Sequence, residues 1–310
     1  MLKRAVKTLL LLIVVLALLP FVILLVALPF NAHTGSDTDY AASALLAHPP
    51  PPLAEPLTLK VVTFNIHDLY VVARDHSERM RAIGEVLTEL DPDLVGIQEG
   101  FAEKHRQVLL DAVAGSRLAY HEYYPSATVG SGKFILSAYP IVEAYFHRFE
   151  DSGDWYKVYE GDFWAGKGVA LARIELPGDA GYIDFYDTHL QADYGNPAYR
   201  LVRESQMRGL AGFVNATVTG TAPAFLVGDM NCRPGTEAYG IAIEQANLER
   251  VMAIRSSIDH IFCVRNPRYG FEVVDTVAID RKIRVGDRET RLSDHTGYIS
   301  TIRITPQDES

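Results

Sequence analysis

The chain has 310 residues and a formal net charge of −10, and 48% of its residues are hydrophobic, enough to bury a sizeable core and too many for a disordered protein. Its acidic balance argues against a protein that grips a long polyphosphate through a broad basic face, though a local basic patch stays open. Two cysteines, Cys232 and Cys263, exclude a disulfide-dense scaffold; export would permit them to pair if the fold brought them near, and Cys232 fits the role of a small buried side chain.

Residues 8–30 carry no charge and follow Lys3, Arg4 and Lys7. A bilayer-spanning helix needs about 20 apolar residues, so this run suffices, and membrane helices tolerate an internal proline such as Pro20. It exceeds the roughly 7–15 apolar residues of a cleaved signal peptide, and no small-x-small site adjoins it. Residues 1–30 therefore read as an uncleaved anchor, with a cleaved signal as the alternative. The basic residues before it keep the N-terminus cytoplasmic. The rest lies outside the cytoplasm, on a single-pass membrane protein, or is secreted if the segment is removed. Beyond residue 30 stand 26 basic against 39 acidic residues, a formal −13. Residues 31–56, with Pro49–Pro52, read as a proline-rich tether of extended geometry.

From 57 to 310 strands and helices alternate with turn signals. "LTLKVVTFNI" is a buried strand ending at Asn65; residues 77–91 have helical spacing, with Ser77 as N-cap and Pro92 just beyond. "PDLVGIQEG" is a short strand ending at Glu99. "KFILSAYPIVEAYFH" is a strand, a turn at Pro140 and a second strand, and "GVALARIEL" with "YIDFYDTHL" forms a hairpin pair. Residues 197–216 are helical, "AFLVGDMN" is a strand and 237–247 a short helix; "SSIDHIFCV", "FEVVDTVAI" and "TGYISTIRI" are further strands. Many strands and few long helices suit two packed sheets flanked by helices.

Asn65, Glu99, His189, Asp229, Asn231, Asp259, Asp294 and His295 all fall at or just past these strand ends. Any one of them suits a turn. Together they read as a shared site, since rigid strands delivering convergent polar groups are how sites are built. Glu99 and Asn65 offer hard oxygen ligands of the kind that suit Mg²⁺, Mn²⁺ or Ca²⁺. His189 and His295 supply an acid and a base near neutral pH. Such a set suits phosphate-ester hydrolysis. No GxSxG elbow, HExxH or zinc-finger spacing is present, and "GSGK" lacks the phosphate-loop spacing.

"VVTFNIHDL", "PDLVGIQEG", "GKFILSAYPI", "YDTHLQA", "LVGDMNCRPGTEAY", "SIDHIFC" and "LSDHTGYI", in this order, resemble the endonuclease/exonuclease/phosphatase superfamily. The resemblance implies an α/β (α+β) fold, a four-layered α/β/β/α sandwich of two packed mixed sheets, here preceded by one transmembrane helix. It also implies a Mg²⁺-dependent phosphoric diester hydrolase. Carried over, Glu99 would be the main metal ligand with Asn65 beside it. Asp229 and Asn231 would orient nucleophile and phosphate. Asp259 and Asp294 would position the histidines or hold metal-bound water. His295 would activate water, and His189 would stabilise or protonate the leaving oxygen; which histidine does which stays open.

"THLQA" and "DWYKVYEGDFWAGKGVALARI" are similar to neutral sphingomyelinases of the phospholipase C type. That likeness implies a phospholipid headgroup ester, sphingomyelin giving ceramide and phosphocholine. Lys167 would then attract the phosphate, and Trp164 would belong to an aromatic lipid-facing surface, or to an aromatic edge of the core. The long hydrophobic hairpin of secreted bacterial sphingomyelinases has no evident counterpart. A metal-dependent nuclease is the alternative, followed by a phosphoinositide phosphatase and a catalytically silent binding protein.

Overall fold

The structure, a computed structural model, describes residues 2–33, 38–178 and 180–307. Helix α1 (Leu2–His33) is apolar on every side and exposed along Lys3–Pro29, which is long and apolar enough to cross a membrane. The segment read as a tether also packs on the domain. Thr38 bonds to β5, its backbone N–H donating to Phe146 O (3.0 Å) and its Oγ1 accepting from Phe146 N (2.7 Å). Asp39 then caps a single 3-10 turn, and Ser43 caps α2 (Ala44–Ala47). Ser43 Oγ also donates to Glu143 (2.7 Å), whose carboxylate pairs with the buried Arg173 guanidinium. That buried ion pair needs acceptors and donors around it, and the tether supplies them.

The strands are, in chain order, β1 (Leu57–Asn65), β2 (Leu94–Gln98), β3 (Tyr120–Tyr124), β4 (Lys133–Ser137), β5 (Ile141–Arg148), β6 (Gly168–Glu175) and β7 (Tyr182–His189). They continue with β8 (Ala224–Asp229), β9 (Leu248–Arg250), β10 (Asp259–Val264), β11 (Tyr269–Ile279), β12 (Lys282–Val285), β13 (Arg288–Arg291) and β14 (Gly297–Pro306). One sheet has the order β11-β14-β1-β2-β4-β3, a second β5-β6-β7-β8-β10-β9, and β12 and β13 form a hairpin. Helices α3 (His76–Leu90) and α4 (Glu103–Val113) cover the first sheet; α6 (Tyr199–Thr217) and α7 (Glu237–Gln245) cover the second. The short α5 (Asp162–Ala165) precedes β6.

Strand alternation explains the layering. Leu59 and Val61 of β1 pack between the sheets against a core that includes Phe185, Phe225 and Ile261, while Val62 and Phe64 face Met80 and Ile83 of α3. A strand buried on both faces reads as a continuous apolar run, which is why "KVVTF" shows little alternation. At Gly96 the sheets come so close that a Cβ would lie 2.3 Å from Val227 Cγ2. The result is the expected helix/sheet/sheet/helix sandwich.

Some local expectations are corrected. Helix α3 starts at His76 after Asp75, a left-handed residue with no side-chain cap bond, so Ser77 lies inside the first turn. Asp75 instead pairs with Arg288 of the β12–β13 hairpin (3.0 Å), a partner remote in sequence. Helix α4, β3 and that hairpin lie outside the elements expected from the local pattern. Cys232 and Cys263 are both free and buried.

Candidate active site

Register brings the polar strand ends together. Parallel pairing of β7 with β8 sets His189 beside Asp229, and antiparallel pairing of β8 with β10 sets Asp229 beside Asp259. On the facing sheet, parallel β1 and β2 end together at Asn65 and Gln98. Glu99 follows at φ 60°, and Asn231 beyond β8 at φ 48°. Left-handed backbone at non-glycine residues is strained, and here it turns the chain off the sheets at the site.

Asn65 bridges two carboxylates: Nδ2 donates to Glu99 Oε1 (3.0 Å) and Asp229 Oδ2 (3.1 Å), while Oδ1 accepts from His67 N (3.0 Å). Burial pushes the Glu99 carboxyl up to about 7, against the Asn65 hydrogen bond and with the Asp229 charge adding to the rise. Its Oε2 is buried without a hydrogen-bond partner. A mostly buried acidic oxygen left unsatisfied beside a second carboxylate fits a hard divalent cation, which would remove the strain of burying that charge. Asp229, Asp259 and His295 also offer ligand atoms within 4.8 Å of one another. Asp259 and His295, however, are hydrogen-bonded to each other, so the unsatisfied Glu99 oxygen is the better marker.

Two imidazoles flank Asp229 Oδ2, His189 Nε2 at 3.3 Å and His295 Nε2 at 3.7 Å. The Lys167 ammonium donates to His189 Nε2 (2.9 Å) and to Leu190 O (2.6 Å), and pairs with Asp162 (2.8 Å). An ammonium only donates, so Nε2 is an acceptor there and the ring proton belongs on Nδ1. Burial first, and then the Lys167 charge, hold His189 well below its ordinary range. His295 is the opposite case. Burial works against its charge, but the Asp259 hydrogen bond (Nδ1 to Oδ2 3.1 Å) and the Asp229 and Asp259 charges raise it to about 10. Burial, with Asp229 nearby, lifts Asp259 itself to about 6.

Other expected residues land differently. Asn231 donates through Nδ2 to Leu190 O (3.1 Å) and through its backbone to Asp229 Oδ1 (3.0 Å), so it ties the β7 and β8 ends together. Asp294 does not meet His295. It is largely exposed, with Oδ2 3.6 Å from His67 Nε2. Trp164 is buried and donates to Trp155 O (3.1 Å), because α5 turns its ring inward; the exposed aromatics of this segment are Trp155, Tyr156 and Tyr159. Ser293, in the "LSDH" stretch, donates to Asn65 O (2.7 Å) and accepts from His295 N (3.1 Å), tying the loop before β14 to the end of β1. His67 and Asp162 were not among the expected residues; Asp162 lies in α5, while His67 stands two residues past β1 much as Asn231 does past β8.

The site opens into a cleft of about 400 Å³ whose walls are mostly apolar, including Leu69–Val72, Phe101, Val129 and Tyr159, with Glu99, Lys167 and His189 among its polar lining. Asp68 holds one lip: His76 Nδ1 (2.5 Å), His105 Nδ1 (2.7 Å) and Ala102 N (3.2 Å) all bond to its buried carboxylate.

Residues 62–295 match the Endonuclease/Exonuclease/phosphatase family. Among similar proteins is the inositol phosphosphingolipids phospholipase C of Schizosaccharomyces pombe, 32% identical over 178 residues, 57% of this chain and 42% of that protein. Sphingomyelin phosphodiesterase 2 of Homo sapiens is 29% identical over 180 residues, again 57% and 42%. The chain spans less than two thirds of these relatives. Similar solved structures include a beta toxin variant from Staphylococcus aureus with bound magnesium ions (TM-score 0.62, 20% identity, 79% of this chain, 99% of that one). Sphingomyelinase C from Streptomyces griseocarneus (0.60, 20%, 79%, 99%) and D. rerio TDP2 with a single-strand DNA product (0.60, 15%, 79%, 98%) share the fold. With a match across most of its length and the family's sandwich built around the site, this chain belongs to the Endonuclease/Exonuclease/phosphatase family.

Proposed function

We propose that this chain is a membrane-anchored, Mg²⁺-dependent phosphodiesterase that hydrolyses a sphingolipid headgroup ester, sphingomyelin to ceramide and phosphocholine. Residues 1–30 are the anchor, 31–56 the linker and 57–310 the catalytic domain. The observation that carries the reading is an apolar cleft set over a polar floor, a shape suited to a lipid with its phosphate pointing inward. The names of the similar proteins support the same substrate class.

Glu99, with Asn65 beside it, would hold the cation, which when bound polarises a phosphoryl oxygen. Lys167 attracts the phosphate, Asp229 accepts from and orients the attacking water, and Asn231 ties the strand ends that frame the phosphate between the two imidazoles. His295, oriented by Asp259, takes a proton from the attacking water. It can do so only when positive charge reaches the carboxylates that otherwise keep it protonated. The bond from phosphorus to the ceramide oxygen breaks, and the leaving oxygen takes the proton that Lys167 Nζ and His189 Nε2 share, leaving that pair one proton short while His295 holds the proton taken from water. Asp294 acts at the rim through His67.

The test is turnover by the purified chain with Mg²⁺ or with chelator, offered sphingomyelin in mixed micelles and DNA in parallel. Metal-dependent phosphocholine release with intact DNA is expected. DNA cleavage with untouched lipid would replace this reading by the nuclease one, for which D. rerio TDP2 is the similar structure.

A further inference from the structure

We infer that the last turn of α1 is a working part of the cleft wall, a clasp that holds the cleft mouth against the leaflet the helix leaves. The inference rests on the reading of α1 as an uncleaved span and of the substrate as a membrane lipid. Asn31 carries it. This residue lies two positions beyond the apolar window Lys3–Pro29, and its exposure is 0% although that window is wholly unburied.

Every polar group of the Asn31 side chain is engaged on the domain. Nδ2 donates to Phe163 O (3.2 Å) and Oδ1 accepts from Thr128 N (3.1 Å), while the Arg148 guanidinium donates to the Asn31 carbonyl. Phe163 belongs to α5 and Thr128 to the loop before β4. These two segments form one side of the cleft, contributing Asp162 and Ala165 from the first and Val129 and Ser131 from the second. They are also bonded to each other, Val129 N donating to Trp164 O (3.1 Å). One amide thus staples the membrane helix to both strips of that wall.

Spacing sets the depth. At about 1.5 Å of rise per residue, Asn31 sits about 3 Å past Pro29, so no slack separates the span from the clasp. The wall is then held at headgroup depth. Around the cleft mouth the surface is apolar in the same sense: Val71 is 92% and Tyr159 84% exposed, with Tyr70, Val72 and Val158 beside them. Soluble surfaces seldom gather such groups without a partner, and tyrosines favour the headgroup level. The partner is the leaflet of the bilayer that α1 crosses. A lipid there reaches Glu99, Lys167 and His189 without leaving its own membrane.

The test uses the full chain in liposomes whose acyl chains carry a nitroxide quencher. A fluorophore is placed at Val71→Cys on the lip or at Glu175→Cys, at the far end of β6 from the site, the native cysteines being buried. Quenching several-fold stronger at position 71 than at 175 is expected, and Asn31→Ala or Asn31→Gln should bring the two closer. Equal quenching at both positions, or no response to either Asn31 variant, overturns the clasp, as does a mature N-terminus beyond Asn31. This readout needs no turnover. In a second arm, sphingomyelin is supplied in the enzyme's own vesicles or in separate ones, with at least a tenfold preference expected for the former. No preference overturns the clasp. Absence of hydrolysis in both, with the quenching pattern intact, removes the substrate reading and leaves the clasp standing.

Discussion

His189 and His295 lie on either side of one Asp229 oxygen, yet their surroundings drive them to opposite states. His189 is buried against an ammonium and is held neutral; His295 has two carboxylates around it and is held charged. In the metal-free protein the same side chain is thus driven toward the neutral form on one side and toward the charged form on the other. What separates them is the sign of the nearest charge, Lys167 against Asp259, and that contrast can be attacked directly.

The largest effect is expected at the group between them. Asp229→Ala, or Glu99→Ala at the proposed cation position, should lower kcat by about 10³-fold or more on the proposed substrate, with the fold intact by circular dichroism. Turnover within threefold of wild type in either variant would remove the site assignment. Next comes Asp259→Asn, which takes the orienting carboxylate from His295 and should lower kcat by about 10²–10⁴-fold. Histidine NMR titration of the metal-free protein should find His295 charged at pH 8 and His189 neutral at pH 6. The His295 titration should move down in Asp259→Asn. Lys167→Met should move His189 the other way, upward, because the neighbouring cation is gone.

A smaller effect reaches stability. The Glu99 carboxyl rises from 4.5 to about 7 in the folded protein. A raised acid contributes fully below its unfolded value and loses that contribution as pH climbs through the folded one. The metal-free protein should therefore lose at most about 3 kcal/mol from this group between pH 4.5 and 7. Buried His260, lowered to about 4, pulls the opposite way over part of that range, so the quantity to measure is the difference between wild type and Glu99→Gln in thermal melts. Saturating Mg²⁺ should raise the wild-type Tm more at pH 7 than at pH 5 and leave Glu99→Gln nearly unmoved. The smallest effect belongs to Trp164→Phe, which removes one hydrogen bond to Trp155 O and should cost about 1 kcal/mol with kcat unchanged.

Ordered motifs made the sandwich legible, because double-sided burial writes an apolar run into β1, and strand-end polar residues stand out against such runs. Asn65, Glu99, His189, Asp229 and Asp259 are legible in that way, and register then brings them together. Of the two aspartates expected to position the histidines, it is Asp259, 36 residues away in sequence, that bonds the His295 ring, while Asp294 lies beside His67. For Trp164 the sequence left a lipid-facing surface and an aromatic core edge open, and burial decides for the core edge, because an aromatic-rich segment does not say which rings a short helix turns inward.

By itself the sequence determined the apolar N-terminal run, the family and the residue types of the site, since each is written in local composition or in a short motif. The tertiary structure alone decided that the tether docks on β5, that Asn31 bonds to a cleft wall, and that the two histidines are shifted in opposite directions. Those outcomes depend on burial and on charges brought close from distant positions, and neither quantity exists until the chain has folded.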